Sequence, residues 1–143
     1  MTIKLEVAQE IVEDLSLILY NRSHRRYSVE YIVKWGFKAV SDLGKTNPNA
    51  TPEEIRRHAR DYMVEQIRSE PDTWCQSWLN LTAPVVFENL TKQEREIVRL
   101  RYGCAMSDDE ISQSMNIPAH RIQFKRQEMA AKILKIEHEY CGA

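Results

Sequence analysis

The sequence predicts an all-α protein, an N-terminal helical bundle followed by a C-terminal helix-turn-helix. Three observations carry this. Apolar residues recur three or four apart through most of the chain, which is the period of a helix and not the alternation of a strand. Gly 4 and Pro 5 in 143 residues are too few for the turns of an all-β fold. Sequences of the S/T-x-x-E type begin at Thr51, Thr91 and Ser107, and each marks a helix start, because the hydroxyl and the glutamate satisfy each other's backbone amides.

The elements follow in order. Leu5, Ala8, Ile11, Val12, Leu15, Ile18 and Leu19 predict an amphipathic helix over residues 3–20. Arg22, His24, Arg25 and Arg26 lie in a polar break and read as a connector. Ser28 is placed to cap a second helix with a buried stripe of Val29, Ile32, Val33, Phe37, Val40 and Leu43. Gly44 is placed to end it in the left-handed conformation. From Thr51 a third helix presents Ile55, Ala59, Tyr62, Met63 and Ile67. Residues 70–89 read as a short helix plus a connector, in which Trp74 and Trp78 pack in a core or anchor an interface. The helix from Thr91 carries Ile97, Val98, Leu100 and Tyr102 and stops at Gly103. A short helix from Ser107 with Ile111 and Met115, the turn Asn116-Ile117-Pro118 and a long last helix to about Glu139 complete the chain. Expected domains are 1–80, a linker at 81–89, and 90–143.

Composition excludes several function classes. Hydrophobic residues at 43% and charged residues at 29% argue for a globular chain and against disorder. A formal net charge of -1 excludes a uniformly basic coat and an acidic tail, so any basic surface is local. The opening MTIKLEVAQEIVEDL is acidic and has no long apolar run, so it reads neither as a signal peptide nor as a membrane span. Cys75, Cys104 and Cys141 form no C-x-x-C, which predicts a reduced, cytoplasmic protein. His138 and Cys141 have ligand-like spacing but no second pair, so no metal is expected. No G-x-S-x-G, phosphate loop, G-x-G-x-x-G or H-E-x-x-H occurs, and the expectation is a non-enzyme without a cofactor.

Two short helices joined by a tight turn, with a third before them, fit the helix-turn-helix plan. Ile111, Met115, Ile117 and Ile122 are its expected small core. The helix after the turn carries no acidic residue from Ala119 to Gln127. His120, Arg121, Gln123, Phe124, Lys125, Arg126 and Gln127, with Ser107 at the start of the preceding helix, are the candidate DNA-binding residues. Arginine, lysine and glutamine are the side chains that reach phosphates and base edges.

Leu90-Thr91-Lys92-Gln93-Glu94-Arg95-Glu96 through Leu100-Arg101-Tyr102-Gly103, then Ser107-Asp108-Asp109-Glu110-Ile111 and Asn116-Ile117-Pro118, resembles region 4 of sigma-70 family RNA polymerase sigma factors. Ala130-Ala131-Lys132-Ile133-Leu134 resembles the segment that closes that region. The LuxR-type effector domain is the nearest competing pattern, and Arg101-Tyr102-Gly103 favours sigma. The resemblance implies double-stranded promoter DNA and the β-flap of RNA polymerase, or another sigma subunit, as partners. It covers about Leu90 to Lys135. Residues 1–89 show no segment resembling the promoter-melting region 2, so a regulator acting beside a sigma factor is expected rather than an autonomous one. The N-terminal helices are expected to bind a partner or pair with a second copy. The competing expectation is a protein-interaction module or phage-type antiterminator that binds polymerase without reading DNA.

The chain departs from the family pattern at three places. Asn116 stands for the usual turn glycine, Pro118 for the usual Ser or Thr cap, and Lys125 for an often apolar residue. Phe124 therefore either turns into the core or faces the DNA.

Overall fold

The computed structural model of the chain describes residues 4–22, 29–70 and 84–141, and every regular element among them is a helix. The chain divides into two compact units, Met1–Arg68 and Ser69–Ala143. The first holds α1 (Leu5–Arg22), α2 (Val29–Thr46) and α3 (Pro52–Arg68), each packed against the other two. Ser28, His24, Arg25, Arg26, Trp74 and Trp78 lie outside the described residues.

Helix α1 buries Ala8, Val12, Leu15 and Leu19, spaced so that they share one face. Ser16 is also buried, and its hydroxyl donates to the Val12 carbonyl at 2.6 Å, which satisfies it within its own helix. Helix α3 opens at the expected capping box: the Glu54 amide donates to Thr51 Oγ1 at 3.2 Å, and the Thr51 amide to Glu54 Oε1 at 3.1 Å. The bond from the Thr51 amide, and after it the Thr51 hydroxyl, hold the Glu54 carboxyl below its ordinary range.

Helix α2 corrects the expected stripe. Its buried residues are Ile32, Trp35, Gly36, Ala39 and Val40, while Val29 is exposed and Val33, Phe37 and Leu43 are half-buried. The helix is turned so that the large ring of Trp35 enters the core, and Gly36 and Ala39 beside it let the neighbouring helices approach. Gly44 does not end the helix, which runs on to Thr46 and closes with the Asn47 amide on the Leu43 carbonyl at 2.7 Å.

Gly36 is where a missing side chain is needed. A Cβ there would lie 2.7 Å from Val12 Cγ1 and 3.1 Å from Met63 Sδ. Valine is stiff at χ1 and cannot swing aside cheaply. Gly36→Ala gains roughly 1 kcal/mol of helix propensity but overpacks the bundle by about 1–3 kcal/mol. The expected net result is destabilisation, read as a lower urea midpoint. Gly103→Ala should be tolerated by the same measurement, because nothing lies within 4 Å of its Cβ position.

The second unit holds α4 (Pro84–Phe87), α5 (Lys92–Val98), a π-helical turn over Arg99–Gly103, α6 (Asp108–Met115) and α7 (Ala119–Cys141). Of the expected linker, 81–83 lie outside the described residues and Pro84–Phe87 is helical. Ile97, Val98, Leu100, Ile111, Ile122, Met129, Ala130 and Ile133 form its buried core, with Leu134 half-buried. The helical run after α5 ends at Gly103, as the sequence implies, but not as an ordinary α-helical turn. It widens, with the Cys104 amide on the Arg99 carbonyl at 3.0 Å, and the left-handed residue is Ala105 at φ 56. The wider turn allows Leu100, Arg101 and Tyr102, three consecutive side chains, all to be buried. An ordinary helical turn spreads consecutive residues over more than half its circumference. Among the described residues, no helix is long and apolar enough to cross a membrane.

Candidate nucleic-acid interface

Helices α6 and α7 and the turn between them are fixed by local chemistry. The Glu110 amide donates to Ser107 Oγ at 3.2 Å and the Ser107 amide to Glu110 Oε1 at 3.1 Å, a complete capping box. Helix α6 ends at Asn116, left-handed at φ 56 and ψ 45, as expected of a residue whose short amide tolerates that conformation. The Asn116 and Ile117 amides both turn back to the Ser112 carbonyl. The Pro118 carbonyl then accepts from Arg121 at 2.9 Å and Ile122 at 3.2 Å, so the backbone starts α7 at a residue with no capping side chain. Ile111 and Ile122 are fully buried, whereas Met115 and Ile117 are only half-buried.

Helix α5 braces α7 from the other side. Thr91 and Glu94 form a second capping box, and Lys132 Nζ on α7 donates to Glu94 Oε1 at 2.7 Å. Burial pushes the Glu94 carboxyl up, but the bonds from Lys132 and Thr91 outweigh it and leave the group below its ordinary range. Arg95 Nε donates to the Phe87 carbonyl at 2.9 Å, and its guanidinium lies 5.0 Å over the Phe87 ring.

A buried ionic cluster joins the π-helical turn, the start of α6 and the middle of α7. Glu70 Oε1 accepts from Arg101 Nε at 3.1 Å, Arg101 Nη2 at 3.0 Å and Arg126 Nη1 at 3.2 Å. Glu70 Oε2 accepts from the Tyr102 hydroxyl at 2.7 Å. Arg126 grips Asp108 with two bonds, Nε to Oδ1 at 3.0 Å and Nη2 to Oδ2 at 2.7 Å, and reaches the Ser69 carbonyl at 2.6 Å. Arg101 also donates to the Met106 carbonyl and the Ser69 hydroxyl. Two arginines face two carboxylates, so the cluster is neutral in charge, the condition under which ions can be buried. Burial opposes the charge on Arg126, but Glu70, Tyr102 and Asp108 raise its pKa above the ordinary arginine value. Burial pushes the Tyr102 phenol well up, and Glu70 beside it adds to that, so the phenol stays a donor. Ser69 and Glu70, which precede the expected C-terminal domain, thus pack inside the second unit.

The candidate reading residues are distributed around this scaffold. His120, Arg121, Gln123, Phe124 and Gln127 are exposed on α7, and Lys125 flanks them, half-buried, with Nζ 4.0 Å from the Glu128 carboxylate. Ser107 is half-buried and its hydroxyl is engaged by the cap. Phe124 is 62% exposed, so it does not turn into the core. Arg126 is a correction. It is 0% exposed and occupied by Glu70, Asp108 and Ser69 instead of standing on the outer face. It sits four residues after Ile122 and three before Met129, on the stripe that α7 buries, and its charge obscured that position.

A largely exposed stretch without acids from Ala119 to Gln127, followed by Glu128 whose carboxylate lies 4.0 Å from Lys125 Nζ, opens the second helix of a braced helix-turn-helix, where major-groove entry needs donors. Residues 86–124 match the family model Sigma-70, region 4. No curated protein and no solved structure matches the chain. The second unit therefore carries a sigma region 4-like, DNA-binding helix-turn-helix module of the sigma and regulator type. The match stops at Phe124. Glu70, Arg126 and Lys132, which brace the module, all lie outside it. No local motif marks Glu70, whose partners stand 31 to 56 residues away.

Proposed function

We propose that this protein is a cytoplasmic transcription regulator and not an enzyme. Its region 4-like module engages double-stranded promoter DNA and RNA polymerase, and it acts beside another sigma factor. The observation that carries this reading is the exposed face of His120, Arg121, Gln123 and Gln127 on α7, behind a turn that matches region 4. That face has donors for phosphates and base edges and no carboxylate from Ala119 to Gln127 to repel the backbone.

A gel shift with promoter duplexes, with and without core polymerase, tests it. Wild type should shift duplex DNA, alone or with polymerase. Arg121→Ala with Lys125→Ala should weaken that shift while the far-UV spectrum stays unchanged, since both side chains lie away from the buried cluster. Each lost phosphate contact should lower the slope of log affinity against log salt by about 1. A double variant that binds as wild type does would remove this helix as the reader. A complex with polymerase and none with DNA would instead assign the module to protein interaction.

A further inference from the structure

Phe124 is the large apolar side chain that the second unit leaves exposed among its described residues, at 62%. It lies in the second turn of α7, within the two turns that a recognition helix inserts into the major groove. Arg121 and His120 stand three and four residues before it, and Gln127 three after, so they share its side of the helix. All of these are exposed. The other apolar residues of this stretch behave differently: Ile122, Met129 and Ala130 are buried in the core. A phenyl ring cannot donate to a phosphate or pair with a polar base edge. The apolar feature that a base pair presents in the major groove is the C5-methyl of thymine.

We propose that Phe124 is a specificity-determining residue that reads thymine, its ring packing on the C5-methyl group in the major groove. This inference rests on the DNA-binding reading above and adds a base to it. The chemistry around the ring favours DNA over an apolar protein pocket. His120, Arg121 and Gln127 frame the ring, and the carboxylate at the same spacing, Glu128 four residues on, lies 4.0 Å from Lys125 Nζ. The side of the ring toward the start of α7 therefore carries cations and amides without an acid from Ala119 to Gln127, which suits a polyanion with polar base edges. Glutamine is also the residue that pairs with adenine through two bonds. Gln127, three residues after Phe124, is placed to read adenine beside the thymine that the ring contacts.

The test uses the full chain and random-sequence duplexes from which the best binders are selected. Each thymine of the selected duplex is then replaced, one at a time, by deoxyuridine, which removes only the methyl group. Wild type should lose roughly three- to tenfold in affinity at one or two positions. Phe124→Ala should bind the thymine and deoxyuridine forms equally at those positions, and Phe124→Leu should keep part of the difference. Its exposure predicts that both variants melt as wild type does. If wild type binds a selected duplex but is indifferent to every substitution, the role of the ring is overturned and the DNA-binding reading stands. The same holds if Phe124→Ala keeps the full thymine preference. If wild type selects no duplex, both fall, and loss of polymerase binding in Phe124→Ala would then place the ring in a protein contact.

Discussion

Glu70→Ala should destabilise the second unit by about 3–5 kcal/mol, the cost of breaking a buried ion pair by removing one partner. One carboxylate takes three guanidinium bonds and a phenol bond, and both arginines are 0% exposed. Without Glu70 the cluster carries a net positive charge that water cannot reach. Asp108 still holds Arg126, so Arg101 is the residue left with the larger loss. Such a cost is a large share of a domain's usual stability of about 5–15 kcal/mol. Tyr102→Phe should cost less, about 1.5–3 kcal/mol for one hydrogen bond to a charged acceptor. A fragment starting at residue 88 lacks both Ser69 and Glu70 and should melt well below a fragment starting at residue 69. Urea unfolding followed by circular dichroism measures all of these. A Glu70→Ala midpoint equal to wild type would show that the cluster contributes nothing. Because the Tyr102 pKa is raised on folding, its contribution is complete below the ordinary phenol pKa of about 10. It declines as pH climbs toward the higher folded value.

The contrast between what was legible in the sequence and what was not follows the range of each interaction. The capping boxes at Thr51, Thr91 and Ser107 involve residues three apart, and all form as the sequence implies. The left-handed turn at Asn116 is equally local. Signals that depend on a partner elsewhere were harder to read. The face of α2 that turns inward, Ile32, Trp35, Gly36, Ala39 and Val40, is itself a helical stripe, but what selects it over the stripe through Val29, Val33 and Phe37 is how closely Val12 and Met63 approach Gly36, which the spacing of α2 does not contain. Gly44 looks like a stop, but the helix continues through it to Thr46, whereas Gly103 does end its helical run, after a widening over Arg99–Gly103 that no local pattern announces. Arg126 is the residue that matters most for the site. Its position on the buried stripe of α7 was legible, but its charge argued for the surface, and the Glu70 that reverses the argument lies 56 residues away.

Core RNA polymerase supplied only with this 143-residue chain should produce no transcript from a promoter that the chain binds. Opening a promoter requires aromatic rings that capture unpaired bases by stacking. A ring must be exposed to do so. In the first unit Trp35 is buried, and Tyr20, Tyr31, Phe37 and Tyr62 are half-buried in the three-helix bundle. In the second unit Phe87 is half-buried and lies against the Arg95 guanidinium. Tyr27, Trp74 and Trp78 lie outside the described residues, and Tyr27 is the one of these that stands beside a basic pair, Arg25 and Arg26. One ring next to two cations is a poor basis for melting several base pairs, each of which costs about 1.4 kcal/mol of stacking to open. On the proposed reading the region 4-like module holds a complex on double-stranded DNA, and its exposed face offers donors rather than stacking platforms apart from Phe124. Run-off transcription with purified core polymerase and this chain, compared with the same reaction supplemented with a sigma factor, measures the difference. The expected result is product only in the supplemented reaction, altered in amount by this protein. Robust product without the supplement would show that residues 1–89 hold a diverged melting region, with Tyr27, Trp74 and Trp78 the first side chains to substitute.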